Sequence, residues 1–185
     1  AEDDPCLGEP LDPEIYDYEQ AVLFNRHAPE LWRRFTIALR RELASQIGVR
    51  ESEFPAVARL SFAKVAEFQR RGVVHFHAII RLDGPAGPGD ASFSHLDEDE
   101  LARCVRKAIS HDAVDALRSD GSEVVLGFGQ QSDVRPLSCI HDGRFVEPEA
   151  VAAYISKYAT KATEDLGLTS RRIDAALVDH EPVRD

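Results

Sequence analysis

Residues 70–84 read RRGVVHFHAIIRLDG, and this stretch decides how the chain folds. Val73, Val74, Ile79 and Ile80 suit the pleated surface of a β-strand. Immediately upstream, AVARLSFAKVAEFQ (56–69) reads as a second strand, and the short RRG connection containing Gly72 makes the two an antiparallel hairpin. Side chains alternate faces along a strand, so His75 and His77 point one way and Phe76 the other. Glu67 and Gln69 share a face for the same reason, and through the turn either can lie opposite the histidines.

Outward from the hairpin, helices alternate with extended segments. EQAVLFN (19–25) reads as a first strand and APELWRRFTIALRRELASQIG (28–48) as an amphipathic helix, with Pro29 in its first turn and Gly48 as its stop. GPAGPGDASFSH (84–95) is an irregular loop, and LDEDELARCVRKAISHDAVDAL (96–117) a helix with acidic residues at its start and basic ones later. Residues 122–140 hold at least one more strand, and HDGRF (141–145) is a tight turn that can close another hairpin. EPEAVAAYISKYATKATEDLG (147–167) is a last helix. The order β-α-β-β-α-β-α predicts an α+β fold, a central antiparallel β-sheet flanked by helices in the ferredoxin-like or RRM-like manner. Residues 1–15 read as a linker or arm, 16–167 as the folded domain and 168–185 as a tail.

The chain has 185 residues, 43% hydrophobic and 30% charged, which suits one soluble domain. It starts on Ala and contains no Met, so an excised domain is expected. No run is long and apolar enough for a membrane span, and AEDDP has the wrong charge for a signal peptide, which predicts a cytoplasmic protein without membrane partners. Cys6, Cys104 and Cys139 are odd in number and widely spaced, neither a disulfide framework nor a zinc site. The net charge of −11 argues against nonspecific coating of nucleic acid, although Arg70, Arg71 and Arg81 place cations around the hairpin.

Two constellations carry chemistry. His75 and His77 with Glu67 or Gln69 offer two imidazoles and an oxygen, a set that suits Mn²⁺ or Mg²⁺ holding a phosphate and would also bind Zn²⁺. The alternative is a solvated strand face bearing ordinary polar residues. The second is AYISKYATK (153–161), where Tyr154, Tyr158 and Lys161 lie on adjoining positions of one helix face and Lys157 is a turn from Tyr154. These tyrosines can pack on a sheet, or one can act as a nucleophile if its phenolate is stabilised by a cation.

HFH, preceded by AEFQRRG and followed some distance on by YISKYATK, resembles the HUH endonucleases, in which two histidines flank a bulky hydrophobic residue. KVAEFQRRGVVHFHAIIRLDG and YDYEQAVLFNRHAPELWRRFTIALRREL resemble, more narrowly, rolling-circle replication initiators of actinomycete plasmids and integrative conjugative elements. The resemblance implies the HUH endonuclease fold and a metal-dependent nicking and joining activity on single-stranded or hairpin origin DNA. It implies His75, His77 and Glu67 as ligands of Mn²⁺ or Mg²⁺, with Gln69 as alternative third ligand. It further implies Tyr158 as first nucleophile, Tyr154 for a second transfer, and Lys157 or Lys161 on the phosphate. A host helicase and polymerase are the expected partners.

Other readings fit less well. A histidine-triad hydrolase wants a third His where Ile79 stands, and a two-histidine phosphoesterase wants paired His-x-Thr or His-x-Ser motifs. A relaxase normally has its tyrosine ahead of its histidines, the reverse of this order. A tyrosine-pair rolling-circle transposase shares the order. A noncatalytic RRM-like binder would display aromatics on its sheet, and no RNP-type signature lies near Phe76.

Overall fold

The computed structural model describes residues 8–90, 96–129 and 132–136, together with positions 140, 141, 144, 145, 153 and 156. The architecture is α+β, with helices packed against antiparallel strand pairs.

Helix α1, Tyr18–Ile47, is the spine of the fold. Asp17 accepts from Gln20 N–H at its start, and Gly48 ends it in the left-handed conformation at φ 81°. Ala28, Leu31, Phe35, Leu39 and Leu43 recur every three or four residues and are buried. Each fully buried leucine stabilises the fold by roughly 1.5–3 kcal/mol. A one-turn helix α2, Phe54–Val57, then drops the Phe54 ring into the same core.

Strands β1, Arg59–Phe68, and β2, Val74–Asp83, form the hairpin that the sequence predicts. Leu60, Ile80 and Leu82 face the α1 core, which fixes which side chains point away from it. Helix α3, Glu98–Ser110, begins with a capping box between Asp97 and Glu100 and buries Cys104, Val105 and Ala108 against α1. Burial pushes the Cys104 thiol up, as suits an inert core residue. Strands β3, Ala113–Leu117, and β4, Glu123–Gly127, form a second antiparallel hairpin that turns Val114, Ala116 and Leu126 inward. Ile140–His141 (β5) pairs with Arg144–Phe145 (β6), which is the tight hairpin expected around HDGRF.

Two expectations change. EQAVLFN is the first part of α1 and not a strand. Ala21 is buried seven residues before Ala28, so the apolar helical stripe continues backwards through Pro29. Pro29 removes one N–H from the helix ladder without ending it. The helix expected over 96–117 stops at Ser110, because alternation takes over in Ala113–Leu117, where Val114 and Ala116 are buried and their neighbours exposed. Among the described residues the strands pair antiparallel in two-stranded units flanked by helices, within the expected α+β class. The helix expected over 147–167 lies almost wholly outside the described residues; Ala153 and Ser156 are helical and exposed.

Candidate metal and nucleic-acid site

The register of β1 and β2 pairs Glu67 with His75 and Val65 with His77, so all three polar side chains stand on the face opposite the core. His75 and His77 rings lie 4.7 Å apart, centroid to centroid. Glu67 Oε2 lies 3.0 Å from His77 Nε2, and both side chains are only 14% exposed. Such a contact is a hydrogen bond in the tautomer that carries its proton on Nε2.

Burial holds the His75 imidazole below the ordinary histidine range; His77 adds to this and Glu67 opposes it. A neutral imidazole keeps a nitrogen lone pair, which is what a metal ligand needs. Gln69 Oε1, just past the end of β1, is buried and makes no hydrogen bond. An orphaned amide oxygen two residues on from Glu67 is chemically of the kind that a hard divalent cation takes. As they stand, no three His, Cys, Asp or Glu side chains among the described residues are arranged to hold a metal ion. The 3.0 Å contact occupies Glu67 Oε2 and His77 Nε2, so a cation that takes those two atoms displaces it.

Asn25 of α1 fixes this end of the hairpin. Its Nδ2 donates to Gly72 O at 2.7 Å and its Oδ1 accepts from Val74 N–H at 2.8 Å. The side-chain amide thus stands in for a backbone partner immediately before His75. Nothing in FNRH marks this residue in the sequence, because its partners are main-chain atoms 47 and 49 residues away.

The three arginines expected near DNA are placed differently from one another. Arg81 shares the histidine face by alternation and pairs through Nε with Asp83 at 2.7 Å. Burial alone would raise the Asp83 carboxyl, but Ser61, Gly89 N–H and Arg81 outweigh it and hold the group low. Arg70, at the turn, lies 3.3 Å from Glu9. Arg71 donates its backbone N–H to Gly8 O at 2.9 Å, and its Nε is buried without a hydrogen-bond partner. Tyr154, Lys157, Tyr158 and Lys161 lie outside the described residues.

Comparison with known proteins settles the family. The model of the RepSA family, described as "Replication initiator protein, pSAM2", matches residues 1–185. The chain belongs to this replication initiator family. It is 47% identical over 176 residues to a replication initiator protein of Streptomyces ambofaciens, covering 94% of this chain and 38% of that relative's length. The chain thus corresponds to less than half of the curated protein that it matches. No solved structure matches it. Among the described residues no helix is long and apolar enough to cross a membrane.

Proposed function

We propose that this chain is the nicking and joining domain of a rolling-circle replication initiator, acting on single-stranded or hairpin origin DNA. The observation that carries the reading is the gathering of His75, His77 and Glu67 on one face of a hairpin, in a chain of the replication initiator family. This favours it over an RRM-like binder, which has no use for two half-buried imidazoles against a carboxylate. A tyrosine-pair transposase would use the same chemistry, and membership of the initiator family weighs against it.

His75, His77 and Glu67 would hold a divalent cation, with Gln69 as alternative oxygen donor. A cation such as Mn²⁺ or Mg²⁺ held there would polarise the scissile phosphate and offset charge developing on its oxygens. Tyr158 supplies the nucleophile: its phenolic oxygen forms the bond to phosphorus as the bond to the 3′-oxygen breaks. The phenol loses its proton and the leaving 3′-oxygen gains one. The product is a 5′-phosphotyrosine link and a 3′-OH able to prime synthesis. Because one phosphodiester replaces another, the strand can be rejoined without ATP. Tyr154 performs the second transfer, and Lys157 or Lys161 binds the phosphate. Arg70, Arg71 and Arg81 contact the DNA backbone around the hairpin, and host helicase and polymerase act on the nicked strand.

The test is covalent adduct formation on an origin oligonucleotide. Adduct should require divalent metal and vanish in Tyr158→Phe. Undiminished adduct in that variant moves the role to Tyr154. Cleavage that persists in chelator, or with both tyrosines replaced, would overturn the reading.

A further inference from the structure

The face of β1 that turns away from the histidines is the one that Leu60 sets against α1, and along the rest of the strand it carries a second feature. Phe62, Lys64, Ala66 and Phe68 share it by alternation. Phe62 and Phe68 are about half exposed, at 47% and 51%. Between them Lys64 Nζ sits 4.0 Å from the Phe76 ring centroid and 4.9 Å from that of Trp32, which also takes the Phe62 ring edge-on at 5.2 Å. Many of the described cations, including Arg34, Arg81, Lys107 and Arg118, pair with a carboxylate. Lys64 pairs with none among the described residues, in a chain with 33 acidic and 22 basic side chains. Burial depresses its ammonium, and no anion among the described residues offsets that.

A half-buried cation held by π-faces and left without a counterion is a site for an anion. Exposed rings two residues before it and four after it on one strand offer π-faces beside that anion. A phosphate flanked by flat bases is what single-stranded nucleic acid presents. We infer that Phe62, Lys64 and Phe68 form a second single-strand contact, in which Lys64 takes a backbone phosphate and the two phenylalanines stack on bases. The inference rests on the proposed action on single-stranded DNA and extends it. β1 pairs only with β2 among the described residues, so a strand crossing its open edge passes from this face to that of Glu67.

The test is anisotropy of a labelled single-stranded oligonucleotide in chelator, where the histidine site is idle. Phe62→Ala and Phe68→Ala should each weaken binding by about five- to hundredfold, with recovery in Phe68→Tyr. Lys64→Met keeps the aliphatic stem and should lower the slope of log affinity against log salt by about 0.7, one phosphate contact. Phe68 carries the weight should Phe62→Ala fail to fold, since about half of its surface is exposed. Unchanged affinity and slope in the variants, with the wild-type chain binding, would overturn this inference alone. A change of association state with unchanged DNA binding would overturn it as well and assign the face to a protein contact. A wild-type chain that binds no single strand would overturn the functional reading beneath it.

Discussion

Glu67 faces His75 across the β-ladder but bonds to His77, its Oε2 lying 3.0 Å from His77 Nε2. The diagonal contact links the carboxylate to both imidazoles, through register to one and through a hydrogen bond to the other. Two residues further along β1's direction, Gln69 offers an unpaired oxygen.

Removal of these oxygens separates their roles. Glu67→Ala should weaken Mn²⁺ binding by at least about tenfold, the scale on which even indirect partners of a metal site act. Gln69→Ala should change it little. Titration calorimetry on both variants decides, and an unchanged Glu67→Ala would transfer the ligand role to Gln69.

The Asn25 amide makes two hydrogen bonds to the hairpin, at Gly72 O and Val74 N–H. Asn25→Ala should cost about 1–3 kcal/mol, since it leaves both main-chain groups without their partner. Asn25→Asp keeps the acceptor for Val74 N–H and loses the donor to Gly72 O, so it should fall between. Urea denaturation midpoints measure both, and equal stability of Asn25→Ala and wild type would show that water replaces the clamp.

Asp112 is buried at the end of α3, with one carboxylate oxygen unpaired. Burial pushes it up from 3.8 to about 6, against the pull of Arg34. The folded state therefore binds this proton more tightly than the unfolded chain does. Its ionisation opposes folding fully above about pH 6, and the penalty is relieved as pH falls from there towards 3.8. Asp112→Asn should stabilise the fold at pH 7 by on the order of 2 kcal/mol, and the advantage should shrink in acid. Stability curves of the two proteins across that range give the difference directly, free of the other carboxylates. A constant difference would contradict it.

The hairpin was legible in the sequence because its information is local: β-branched runs, a Gly turn and alternation place His75, His77 and Glu67 on one face without any distant contact. The start of α1 was not legible in this way. Pro29 reads as a beginning when only short-range rules are applied, and the buried Ala21 that extends the helix is too small to stand out in a pattern. β3 reads as part of a helix because Ala113–Leu117 has helical composition, and only packing against α1 reveals its alternation. Asn25 and Lys64 were invisible for a third reason. Each acts through partners from other elements, main-chain atoms in one case and the Trp32 ring in the other.

The β1–β2 pairing has two independent controls. Leu60, Ile80 and Leu82 in the core decide which side of each strand is inward, and they forbid a slip by one residue. They do not forbid a slip by two, which keeps every side chain on its face but carries Glu67 past His75. That second kind of error is opposed at the turn, where Asn25 holds the main chain at Gly72 and Val74. The apolar core thus sets the phase of the strands and one amide on α1 sets their alignment, so a chain without that amide could stay folded with its ligands out of step.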